Sequence, residues 1–215
     1  MMPDHLFKRY LIFATGIFIM ALGVALSTRA DIGISPISCV PYILSLEFPM
    51  TMGTFTILLH ISFIAVQIVL LRNEFELVQL LQIPVAFVFG AFTDLTLWLA
   101  GGLTPTSYLM RWIFLLVSCA LIAVGVCMEV APRVVMVAGE GAITAIVKVF
   151  KTEFGFTKLG FDVTLVTLGV ILSIALFSDL EGVREGTIVA ALLVGVIARH
   201  IKKYVDTGVA FFLHE

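Results

Sequence analysis

The chain has 215 residues, 60% of them hydrophobic and only 13% charged, with a mean hydropathy of +1.13. Soluble domains carry about 25% charged residues, so these values exclude an ordinary soluble domain; the formal charge of −2 excludes little. Cys39, Cys119 and Cys127 stand in apolar surroundings without a Cys-x-x-Cys pair or clustered histidines, which argues for inert buried thiols and against a zinc site or disulfide framework. No phosphate loop, Ser/His/Asp set, paired metal ligands or basic nucleic-acid surface stands out, so the expectation is a non-enzyme with no cofactor and no nucleic-acid partner.

Lys8 and Arg9 precede Tyr10–Thr28, a charge-free run of 19 residues. A signal-peptide core has about 7–15 residues, so this run reads as a permanent first helix. In all, six uncharged or nearly uncharged runs follow one another, at about 10–28, 51–71, 77–99, 109–130, 160–178 and 183–201. The third contains Asp94, and the last is bounded by Glu185 and Arg199. None alternates as barrel strands do, so helices are the only spanning elements that fit.

Two shorter segments interrupt the series, 31–47 after the first run and 133–150 after the fourth. Each is broken by Gly or Pro near its start: Gly33-Ile34-Ser35-Pro36-Ile37-Ser38 in one, Gly139-Glu140-Gly141-Ala142-Ile143-Thr144 in the other. A shift of 106 aligns Gly33 with Gly139; shifts of 107 and 105 align Gly53 with Gly160 and Gly90 with Gly195. The expected fold is therefore an all-α integral membrane protein with six transmembrane helices in two inverted three-helix repeats. Each repeat carries a broken or re-entrant half-helix. The first repeat occupies 1–107 and the second 108–203, with a cytoplasmic tail at 204–215 that either lies along the membrane surface or frays. Three spans per repeat, an odd number, turn the second half upside down relative to the first, the plan of many secondary transporters.

With the N-terminus inside, ten lysines and arginines fall on the cytoplasmic side and three, Arg29, Arg111 and Arg184, on the other. Both termini are thus expected in the cytoplasm, in a bacterial inner membrane.

Several separate motifs carry a family resemblance: Ala30 through Ser38, Gln82-Ile83-Pro84 with Phe89-Gly90 and Asp94, Gly139-Glu140-Gly141, Phe161-Asp162, and Val183 through Thr187. The chain resembles the bacterial YczE/YyaS/YitT family of membrane proteins along nearly its whole length. That resemblance implies the membrane architecture, and transport as the usual supposition for such proteins, but brings no substrate.

Polar groups inside apolar segments need partners or water, since a buried carboxylate costs about 2.5–3.5 kcal/mol on insertion scales. Glu140, between two glycines, is either a cavity carboxylate that exchanges a proton or a helix cap. Asp162, four residues after Lys158, is a structural ion pair or a proton or cation site. Arg184 and Glu185 open the last run and form either an anion site or an inter-segment ion pair. Ser35, Ser38 and Thr144 carry hydroxyls at the starts of the broken segments, as caps or substrate ligands. Gln82 and His60 lie within spans, where helix-to-helix hydrogen bonds are the commoner explanation; His60 also titrates near neutrality. Asp94 is placed near the outer end of its span, within reach of water.

The reading that joins these is a small-solute transporter whose midplane site lies between the two broken helices, for an anionic or polar metabolite and coupled to protons. The expected partners are the lipid bilayer, a small-molecule or ion substrate and, where the chain forms a homodimer, a second copy of it. Alternatives are the substrate-capture subunit of a vitamin-uptake complex, or a non-transporting scaffold or assembly factor.

Overall fold

The computed structural model describes residues 6–214. Among them are eight α-helices and no strand: α1 Leu6–Ala30, α2 Pro36–Glu47, α3 Met52–Leu71, α4 Gln82–Leu99, α5 Tyr108–Val130, α6 Ala138–Phe150, α7 Phe154–Phe177 and α8 Glu185–His214. Five of the helical segments, including all but α2, α6 and α8, are long and apolar enough to cross a membrane.

The helices end where the sequence forbids continuation. After α1, Asp31 takes a positive φ of 53° and Gly33 one of 127°, and Pro36 then occupies the first helical position of α2. Gly33 is pressed against the Thr187 amide, so a side chain there would collide as well as strain the backbone. After α5, Pro132 lacks the N–H that another turn needs, and Arg133 takes a φ of 53°. α2 and α6 have 12 and 13 residues. At 1.5 Å per residue they reach about 20 Å, short of the roughly 30 Å hydrocarbon core. Both are half-helices.

α1 and α5 form the centre. Where α1 offers Gly16, α5 offers Gly125 and Glu129; where it offers Gly23, α5 offers Ser118 and Ile122. Residue numbers rise on one helix as they fall on the other, so the two run antiparallel. α4 flanks α1 and α8 flanks α5, while α2 packs on α7 and α6 on α3. Exchanging the first four helices with the last four leaves these partnerships unchanged. One place breaks the pattern: α3 packs along α4, whereas α7 touches α8 only briefly.

Pro36 to Ala138 and Met52 to Phe154 are both displaced by 102 positions, as are Asp31 and Arg133, which share a φ of 53°. The elements therefore correspond at 102, and not at the 106 obtained by matching Gly33 with Gly139. Those two glycines do different work: Gly33 makes a turn, whereas Gly139 lies inside α6.

α8 differs most from expectation. It continues through the segment expected to be a separate tail and ends at His214, because Val209 and Leu213 bury against Ile12 of α1. At its other end, Thr187 Oγ1 accepts the Ile34 amide at 3.2 Å, just beyond the last turn of α1. α8 thus runs the length of α1. Glu185, Arg199, Lys202, Lys203 and Asp206 give it more charge than the other long helices.

Candidate functional site

The starts of the two half-helices meet in the middle of the bundle. Ile37 of α2 lies so close to Gly139 of α6 that a Cβ on the glycine would come within 2.8 Å of the isoleucine Cδ1. Beside this contact is a cavity of about 100 Å³, room for roughly three waters at about 30 Å³ each. Its lining comes from both halves in matched positions: Met20 with Ile122, Val24 with Val126, Ser35 with Val137, Ile37 with Gly139, His60 with Asp162, and Phe89 with Ala191. Every pair is separated by 102.

The polar lining consists of Ser35, His60, Glu140, Lys158 and Asp162. Asp162 is almost fully buried and pairs with Lys158 on its own helix, at 3.1 Å from Oδ2 and 3.4 Å from Oδ1. Asp162 therefore makes the ion pair and lines the cavity at once. Glu140 stands in the first turn of α6, whose N-cap position is Val137 and carries no side-chain cap bond. The flanking glycines do not break the helix. Gly139 admits Ile37, and Gly141 admits Gln67 and Gln82, whose side-chain atoms would lie 2.7 and 2.8 Å from a Cβ.

His60 is 1% exposed, lies parallel to Phe89 at 5.4 Å between centroids, and neither of its ring nitrogens has a hydrogen-bond partner. The inter-helix hydrogen bond that usually explains a polar residue within a span is absent here. Ser35 Oγ donates to Ser38 Oγ at 3.0 Å, so Ser35 lines the cavity and Ser38 supports it from behind.

The remaining expected residues lie elsewhere. Gln82 exchanges two hydrogen bonds with Gln67, at 2.8 and 3.0 Å, and Gln67 also donates to the Ala138 carbonyl at 3.2 Å. This buried amide pair ties α3 and α4 to the start of α6. Thr144 donates to the Glu140 carbonyl one turn back, at 2.8 Å, and faces a separate hollow with Gln82, Glu74 and Lys148. Arg184 and Glu185 lie at the far end of α1, in a cleft of about 450 Å³ that also holds Asp31, Asp179 and Glu181. Arg184 donates to the Asp31 carbonyl at 3.4 Å and sits 3.9 Å from Glu185. Acidic groups outnumber basic ones there, so the field opposes an anion. Asp94 accepts the Gly53 amide at 2.8 Å and the Thr51 hydroxyl at 2.7 Å, and so ties α4 to the start of α3.

One carboxylate escaped the sequence reading. Glu129, near the end of α5, has no exposed surface. Its Oε1 accepts the Val137 amide at 2.7 Å, while Oε2 has no partner. Glu129 thus satisfies, from another helix, the N–H of the N-cap residue Val137, one of the amides at the start of α6 that has no intrahelical partner. The signal was an acidic residue in an apolar run, eight positions before a half-helix start that needed an acceptor.

The three cysteines are free and buried. No curated protein and no solved structure matches the chain. Residues 7–203 match the family of unknown function DUF6198, and the chain belongs to that family.

Proposed function

We propose that the protein is a small-solute transporter of a bacterial inner membrane, with six spans in two inverted repeats and a midplane site between α2 and α6. The observation that carries this is the cavity itself, lined at six matched pairs of positions, 102 apart, by two halves whose first helices are antiparallel. A site on the axis between inverted halves can be reached from either face as one half rocks against the other. The motif resemblance to the YczE/YyaS/YitT family belongs with this proposal.

Glu140 and Asp162 outnumber Lys158 around the cavity, and the arginine that argued for an anion is remote from it. The cargo is accordingly a compact polar solute, hydrogen-bonded by His60 and Ser35, with Glu140 as the group that exchanges a proton in the cycle. The N-terminal amides of the half-helices and Lys158 are the features that still favour an anionic group on it.

A thermal-shift screen of the purified protein against small anions, zwitterions and amines should yield one stabilising class. For that class, affinity measured from pH 5 to 8 should vary in the wild type and become flat in Glu140→Gln. His60→Phe should fold normally, since an apolar ring of similar shape replaces an unpartnered imidazole, yet lose the ligand-induced shift. Parallel pH curves would remove Glu140 from the coupling. A ligand shift untouched by His60→Phe, Glu140→Gln and Asp162→Asn would remove the cavity as the site.

A further inference from the structure

A different feature lies at the end of the bundle where α1 starts and α5 finishes. There a cleft of about 960 Å³ is lined by Arg9, Arg133 and Lys202, with Val134, Val209 and Leu213 among its apolar walls. The three cations come from three places in the chain: the first turns of α1, the turn between α5 and α6, and the second half of α8. Arg9 is fixed by donating to the Pro132 carbonyl at 2.8 Å. Lys202 pairs with Asp206 at 3.2 Å, the one acidic residue lining the cleft. Arg133 is exposed and enters no salt bridge among the described residues. A net positive charge therefore faces an otherwise greasy hollow.

Beside the cleft is a second hollow of about 290 Å³, which runs between α1 and α4 past Tyr10, Phe13, Ile17, Pro84 and Val88 and has no charged side chain. Val135 lines both. From Tyr10 to Ile17 the groove follows α1 for about 10 Å, from the basic end toward the middle of the bundle.

We infer that this composite site holds an anionic phospholipid, its headgroup between Arg9, Arg133 and Lys202 and an acyl chain in the groove between α1 and α4. The two halves of the site select together. Free phosphate would answer the cations and leave the apolar groove empty, and a zwitterionic lipid would fill the groove without matching the charge. Basic pockets between membrane helices are recognised binding places for anionic headgroups, and each cation near such a surface contributes about fivefold in affinity.

The test uses the full-length protein in detergent, with native mass spectrometry following dioleoylphosphatidylglycerol, dioleoylphosphatidylcholine and inorganic phosphate. The phosphatidylglycerol should be retained at least tenfold better than the phosphatidylcholine, and phosphate should not displace it. Arg133→Gln with Lys202→Gln keeps the Arg9–Pro132 hydrogen bond and should weaken phosphatidylglycerol by about 25-fold. Lys151→Gln with Lys203→Gln removes two charges from the same end but outside the cleft and should change little. Ala14→Phe fills the groove and should weaken the lipid while all three cations remain. Equal retention of the two lipids, equal losses in the two double variants, full displacement by phosphate, or no effect of Ala14→Phe would each overturn the assignment.

Discussion

Glu129 has no exposed surface on α5, and its carboxylate oxygen receives the Val137 amide at 2.7 Å. Glu129→Ala would leave that amide buried without an acceptor, a loss of about 1–3 kcal/mol. Glu129→Gln keeps a carbonyl oxygen in the same place and should retain most of the stability. Chemical unfolding of the two variants in detergent measures the difference; equal losses would mean that the charge, and not the cap, is what the fold uses. At this scale the sequence was legible in part. Residue types flagged Asp162, Glu140 and Ser35, all of which reach the cavity, because an ionisable or hydroxyl group in an apolar segment must be accounted for wherever it lies. Glu129 is harder to single out, because a carboxylate near the end of a helix finds water easily unless packing seals it in. Gln82 is expected to make a helix-to-helix hydrogen bond, but its partner, Gln67 across α3 and α4, is set by packing that no local pattern announces.

Among the helices, one close approach that residue size controls is the crossing of α1 and α5. A Cβ on Gly23 would lie 2.7 Å from Ile122 and 2.9 Å from the Ser118 carbonyl; one on Gly125 would lie 2.7 Å from both Met20 and the Gly16 carbonyl. Gly23 and Gly125, Met20 and Ile122, and Gly16 and Ser118 are all 102 apart, so the same contact is made twice in opposite directions. Gly23→Ala and Gly125→Ala should therefore be similarly destabilising, by about 1–3 kcal/mol each as overpacking costs. Gly195→Ala, with nothing within 4 Å of its Cβ, should be neutral or slightly stabilising through helix propensity. Thermal unfolding of the three variants checks this, and a tolerated Gly125→Ala beside a damaging Gly23→Ala would break the equivalence. The order of elements, long, short, long, long, twice over, was visible in the sequence. Its register was not, because glycine is placed by two unrelated needs, a turn at Gly33 and a close approach at Gly139. Matching them as if they shared one cause misplaced the alignment by four residues, about one helical turn.

The whole molecule turns on α8. By composition it falls outside the helices apolar enough to cross, since Arg199, Lys202 and Lys203 crowd its second half. By position it accompanies α1. Thr187 holds the Ile34 amide beyond one end of α1, Ala190 is buried in the cluster with Ala30 and Leu115, and Val209 and Leu213 cover Ile12 near the other end of α1. A helix that accompanies α1 from end to end crosses whatever α1 crosses, and the lysines and arginines of its second half then emerge at the face where Lys8 and Arg9 lie. Lys8 in fact donates to the Phe212 carbonyl at 3.3 Å. The two termini are thus expected on one face, with the Leu103–Tyr108 connection on the other. A reporter active only in the cytoplasm, fused after Glu215, should be on, and the same reporter inserted after Thr104 should be off; a periplasmic reporter should give the reverse. If α8 instead returned to the face it started from, the positions after Glu215 and Thr104 would give the same signal, because α5 and α7 alone separate them. The six-helix crossing and the inverted halves would then both fail, and the cavity would lose the two-sided access that a transporter requires.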